Sequence, residues 1–335
     1  MKEKKLTIET TPHIHSGNSV QKIMGHVILA LLPICIFAVY SFGLSALLIL
    51  LVSVSSCWLT ENLLSKFLND NQTSNDLSVI ITGILLGLTF PPALPLWMVC
   101  LGGIFSVTVG KFLFGGLGFN PFNPALVGRA FLQAAFPNAM SNWSPAFSVD
   151  RFTSIPSSTF TFPFLTPEYD QLSSATPLAV YKFSNQLSNE MDLFLGLNNG
   201  SIGETSSLLI LICGAYLIFR GMINWRIPAG IFGITILLST SLPLLDLASA
   251  PNGFFMLFSG GLMLGAMFMA TDPVASPITN LGCLIYGVLI GTLIFVIRIW
   301  GGMPEGVMYA ILISNAVSPH IDAWIQPSPF GRKRV

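Results

Sequence analysis

GILLGLTFPPALP, residues 83–95, and GGLMLGAMFMATDPVASP, residues 260–277, each carry a glycine-rich apolar stretch into a break of proline and polar residues. Backbone that stops being helical inside a bilayer leaves N–H and C=O groups that only protein or water can satisfy. Broken helices at matching positions therefore point to an internal pathway or cofactor site. The alternative is that Gly and Pro merely let helices pack closely.

A spanning helix needs about 20 apolar residues. Outward from the two breaks, such runs lie near residues 23–41, 43–65, 77–92, 96–114 and 121–137, and again near 205–220, 226–244, 254–271, 281–299 and 305–324. Each set has two long apolar helices, a glycine-rich helix with a break, another long helix, and a last segment opened by FNPALVG (122–128) or MPEGVMYA (303–310). The intervals Pro91 to Pro124 and Pro273 to Pro304 are nearly equal. An odd number of helices per set inverts the second relative to the first. The expected fold is an all-α polytopic membrane protein with about ten transmembrane helices in two inverted five-helix repeats, plus an extracytoplasmic loop. The expected segments are 1–22 (cytoplasmic), 23–137 (first repeat), 138–204 (loop), 205–324 (second repeat) and 325–335 (basic tail).

Composition agrees. Of the 335 residues, 52% are hydrophobic and 9% charged, against roughly 25% charged in soluble domains, and mean hydropathy is +0.72. Net charge is zero and the basic residues are scattered, which argues against nucleic acid. The basic start runs into continuing membrane segments rather than a cleavage site, unlike a signal peptide. With a cytoplasmic N-terminus, the clusters around Lys2–Lys5, Lys66, Lys111, Arg220 and Arg332–Arg334 all fall inside, and only Arg151, Lys182 and Arg298 fall outside. Cys35, Cys57, Cys100, Cys213 and Cys283 sit in apolar runs without a C-x-x-C spacing and read as inert packing thiols. His13 and His15 lack further ligands, so no metal site is expected.

The polar loop contains SSATPL, residues 173–178. Ser173, Ser174 and Ala175 leave Thr176 approachable, and Pro177 biases it toward an extended backbone that would project its hydroxyl away from any helix. Such a threonine suits modification, though Thr before Pro is also ordinary loop chemistry. No histidine on that side offers a general base, so any modification needs a separate enzyme. Ionisable groups in spans are costly and informative. Arg129, with Asn120 and Asn123 upstream, is a candidate contact to a phosphate or ring carbonyl; Asp272, Asp322 and Glu305 are candidates for an ion or proton pathway. Glu61 and Lys111 lie nearer the membrane edges.

TPHIHSGNSVQKIM, FNPALVGRAFLQAAFP, SSATPL and the run from FMATDPVASP to SPHID resemble, in order and over essentially the whole chain, the related Rnf-complex D subunit and the B subunit of the sodium-pumping NADH:quinone oxidoreductase. SSATPL resembles that family's flavin-attachment motif, with Ser174 where glycine is common. The resemblance implies a protein of the bacterial inner membrane with FMN joined through its phosphate to Thr176 by a flavin transferase. Its implied partners are iron–sulfur, FMN-bearing and other membrane subunits of a ferredoxin:NAD oxidoreductase that moves Na⁺ or H⁺. A second, noncovalent flavin such as riboflavin is known in the B subunit. The short region before the first span favours the D type over the B type. A channel or transporter of inverted-repeat fold and a cofactor-free scaffold are the rival readings.

Overall fold

The computed structural model describes residues 19–67, 77–163, 165, 175–204, 206–244 and 250–327. Among them the fold is helical throughout, without strands. Helices α1 (Val20–Phe42), α2 (Leu44–Phe67), α3 (Ser78–Leu88), α4 (Leu96–Gly110) and α5 (Pro124–Ala135) come first. A long connection holds α6 (Pro137–Met140), α7 (Pro177–Ser184) and α8 (Glu190–Leu195). Then follow α9 (Ser207–Phe219), α10 (Arg226–Leu244), α11 (Gly253–Phe258), α12 (Leu262–Leu264) running into a π-helical turn at Gly265–Met269, α13 (Asn280–Trp300) and α14 (Val307–Trp324).

Among the described residues, five helices are long and apolar enough to cross a membrane: Val20–Phe42, Leu44–Phe67, Leu96–Phe114, Arg226–Leu244 and Asn280–Trp300. The shorter α3 and α9 are also apolar. At 1.5 Å per residue, the 11 residues of α3 reach roughly 16 Å, about half of a hydrocarbon core of about 30 Å. The run read from sequence as 77–92 is thus a half-length helix, and 121–137 shrinks to the 12 residues of α5.

Local chemistry sets the boundaries. Ser19 Oγ accepts from Lys22 N at the start of α1, Asn123 Oδ1 accepts from Ala125 N at the start of α5, and Thr279 Oγ1 accepts from Gly282 N at the start of α13. Gly43 turns α1 into α2 with φ +71°, and a Cβ there would lie 1.9 Å from Arg151 O. Only glycine permits that approach, which lets Leu44 N donate to Arg151 O and moors the central connection on the α1–α2 turn. Helices α10 and α13 touch backbone to backbone, since a Cβ on Gly287 would meet Ile227 O at 2.5 Å.

The broken ends are patched by protein. Carbonyls of Leu88 and Phe90, where α3 stops, accept from Gly203 N (2.7 Å) and Ile202 N (3.1 Å). Residues 201–203 are buried, so the end of the stretch read as a surface loop enters the core. Carbonyls of Met256 and Ser259, where α11 stops, accept from Arg298, and Met269 O accepts from Asn123 Nδ2. The second broken helix therefore opens at Ser259–Gly261 as well as after Ala270, where the sequence points. Arg298, read from sequence as falling on the outer side at the end of the 281–299 span, is a buried residue in the last turn of α13.

Candidate functional site

Two cavities lie along α5 and the π-helical turn. The first, of about 250 Å³, is lined by Thr176, Arg129, Glu204, Glu305, Trp143 and Tyr309 together with methionines. The second, of about 100 Å³, is lined by Asn120, Asn123, Lys111, Thr271, Asp272 and apolar side chains of α1, α3 and α9. One turn divides them: Met267 and Phe268 face the second cavity, Leu264 and Met269 the first.

Thr176 has an extended backbone, φ −71° and ψ 152°, but its hydroxyl does not project into space. It is the N-cap of α7, with Oγ1 accepting from Ala179 N at 3.3 Å, and the residue is 3% exposed. Pro177 at the first helical position fixes the geometry that lets the side chain turn back onto the helix. Capping consumes one acceptor site of the hydroxyl and leaves its O–H. Ala175 and Pro177 flank it; Ser173 and Ser174 lie outside the described residues, as do His13 and His15.

Arg129 bridges two carboxylates that are distant in sequence: Nη1 lies 3.4 Å from Glu204 Oε1 and Nη2 lies 3.0 Å from Glu305 Oε2. A planar guanidinium suits this because its donors diverge in a fixed fork. Glu204 Oε2 and Glu305 Oε1 are buried without a hydrogen-bond donor among the described residues. Burial, and then the Glu305 carboxylate, push Glu204 above the usual carboxylate range, against the pull of Arg129. A Cβ built on Gly260 would lie 3.2 Å from Arg298 Nη2 and 3.4 Å from Glu305 Oε1, so a second guanidinium converges on the same place.

Of the residues singled out in the sequence, Thr176, Arg129 and Glu305 meet in one cavity. Asn120, Asn123 and Asp272 meet in the other. Asn123 is committed to backbone, capping α5 and holding Met269 O, and Asn120 Nδ2 donates to Phe122 O. Asp272 Oδ1 accepts from Val274 N, and Asp322 Oδ1 accepts from Ile278 N, away from both cavities. Glu61 and Lys111 pair at 2.5 Å and are buried. Sequence reasoning missed Glu204, Arg298 and Lys182. Glu204 in GSIGETSS looks like an exposed acid ahead of a helix, and Arg298 like an interface anchor. The sequence shows no base beside Thr176, yet the fold brings two carboxylates into its cavity.

The model of the NQR2, RnfD, RnfE family matches residues 7–331. The chain is 38% identical to the D subunit of the proton-translocating ferredoxin:NAD(+) oxidoreductase complex of Clostridium ljungdahlii, covering 100% of this chain and 98% of the relative. It is 39% identical to the D subunit of the Na(+)-translocating ferredoxin:NAD(+) oxidoreductase complex of Acetobacterium woodii, with the same coverage. Identity to the D subunit of the ion-translocating oxidoreductase complex of Alcanivorax borkumensis is 38%, over 98% of this chain and 97% of the relative. A family match spanning nearly every residue, with three such relatives alike over their full length, makes this multi-pass membrane protein a member of the NQR2, RnfD, RnfE family.

Proposed function

We propose that the chain is the D subunit of an ion-translocating ferredoxin:NAD oxidoreductase, with FMN joined through its phosphate to Thr176 and electron passage coupled to movement of Na⁺ or H⁺. The observation that carries this reading is the presence of Thr176 in one cavity with Arg129, Glu204, Glu305 and the aromatic side chains Trp143 and Tyr309.

The residues fit the group. The hydroxyl stands at the N-terminal end of α7, where backbone N–H groups and the helix dipole favour a phosphate. Arg129 and Arg298 balance Glu204 and Glu305 in formal charge, and the two guanidinium groups are the cations available to a phosphodiester at Thr176. Trp143, Tyr309 and the methionines offer a water-poor wall for a ring system. FMN supplies the redox chemistry when bound. The chain's own part is to hold the phosphate at Thr176, to exclude water, and to carry a proton at the Glu204–Glu305 pair.

The reading extends to a second, noncovalent flavin such as riboflavin, for which the other cavity, at about 100 Å³, is smaller than ligand pockets usually are. Asp272 and Glu305, one in each cavity, remain the pathway candidates, and Asp322 serves the turn at Ile278 instead. The relatives from C. ljungdahlii and A. woodii are named for different ions at 38% and 39% identity, so overall likeness selects neither. Ten crossings in two inverted halves, both termini in the cytoplasm of a bacterial inner membrane and residues 138–204 outside complete the reading. Its partners are the other Rnf subunits, iron–sulfur and FMN-bearing, and a flavin transferase for maturation.

Protein made with the transferase should give a fluorescent band on a denaturing gel, and Thr176→Ala should abolish it. A variant that stays fluorescent rules out attachment at Thr176.

A further inference from the structure

Lys182 lies six residues after Thr176 on the same short helix. Its ammonium donates to three backbone carbonyls: Arg298 O at 3.0 Å, Gly301 O, and Met303 O at 2.9 Å. An ammonium has three N–H donors and no acceptor, so all its hydrogen-bonding capacity goes to one stretch of backbone. That stretch is the end of α13 and the connection that follows it, whose Met303, Pro304 and Glu305 line the Thr176 cavity. The last carbonyls of a helix have no partner within the helix, and a cation there also meets the negative end of the dipole. An apolar contact also holds α7: Leu178 packs with Phe255 and Leu193 beside Gly260.

We propose that Lys182 is a positioning residue: by clamping the connection after α13 onto α7, it fixes Glu305 relative to Thr176 and so sets the electrostatic surroundings of the group bound there. The clamp stands on geometry alone. Its effect on the bound group rests on the reading of Thr176 as the flavin attachment site.

Arginine cannot replace it, since a planar fork does not aim three N–H groups at carbonyls gathered around one point. Methionine keeps the chain length and removes every donor. Two measurements on Lys182→Met and Lys182→Arg separate the claims. In flavin-free protein, made without the transferase, hydrogen–deuterium exchange over residues 301–306 should quicken about tenfold in both variants. In the flavin-loaded complex, covalent flavin should stay within twofold of the parent while its midpoint potential shifts by the equivalent of at least a threefold change in equilibrium constant. Unchanged exchange removes the clamp. Faster exchange with an unmoved potential leaves a structural tie and removes the positioning role. Full rescue by arginine would mean that charge alone matters, against the three-carbonyl geometry. Should Lys182→Met not assemble, Lys182→Gln is read by the same two measurements. Absence of flavin from the parent band is a separate result, and counts against attachment at Thr176 rather than against the clamp.

Discussion

Arg129 ties together α5, the connection before α9 and the connection before α14, three pieces of chain up to 176 residues apart. Removing one partner of a buried ion pair typically costs about 3–5 kcal/mol, because the remaining charge loses its compensation. Arg129→Met should therefore lower the melting temperature of detergent-solubilised protein sharply. Arg129→Lys, a single point charge unable to bridge both carboxylates, should recover only part of the loss; equal melting of the three proteins would deny the bridge any structural weight. Glu204 yields a pH signature. A carboxyl that holds its proton more tightly folded than unfolded makes stability fullest below the ordinary glutamate value of about 4.3 and lets it fall as pH rises through the folded value. The melting temperature should decline over that rise, and Glu204→Gln, which mimics the protonated form, should flatten the slope. A slope of opposite sign, or one unchanged by the substitution, would contradict the raised affinity. At this scale the small neighbours and following proline marked Thr176 as extended and approachable, and its choice as an attachment site came from the likeness of SSATPL to a family motif. The direction of its hydroxyl was not legible, because a capping bond depends on where the next turn of helix begins.

Helix breaks are decided at the level of whole elements. Proline and glycine announce where backbone pairing fails, and both breaks were visible in the sequence for that reason. The added opening at Ser259–Gly261 was hidden, since SGG inside an apolar run also reads as a tightly packed helix. It exists because Arg298 supplies the donors that the freed carbonyls need. Gly260 sits there with φ +63°, and a Cβ would press to 2.6 Å from Leu178 Cδ1 on the helix that carries Thr176. Gly260→Ala combines backbone strain of roughly 1–3 kcal/mol with displacement of α7. It should lower both melting temperature and flavin fluorescence, whereas Gly233→Ala, where a Cβ meets nothing within 4 Å, should lower neither. Matching behaviour of the two alanines would show that the break does not position α7.

Across the whole molecule the testable quantity is sidedness. Phe183 on α7 is 75% exposed and Lys66 near the end of α2 is exposed, so cysteines at both sites can be reached. The buried Cys57, Cys213 and Cys283 should stay silent, and Cys35 and Cys100 can be replaced by serine to clear the background. A membrane-impermeant maleimide added to intact cells should label Phe183→Cys and leave Lys66→Cys unlabelled until the cells are opened. The reverse pattern would invert the proposed topology and take the Thr176 cavity to the cytoplasmic side.

The membrane class, the helical fold and the approximate length of most helices were fixed by composition and apolar runs, because a bilayer imposes a hydrophobic length that any single segment must meet by itself. Thr176 was singled out by the likeness of SSATPL to a family motif, and Arg129 as a charge inside an apolar run. What belongs to tertiary structure alone is convergence. Glu204 joins Arg129 across 75 residues, Lys182 reaches the end of α13 across more than a hundred, and residues 202–203 patch the end of α3. Such pairings satisfy polar groups that burial would otherwise leave stranded, and which partner arrives is decided by how the helices pack rather than by any pattern along the chain.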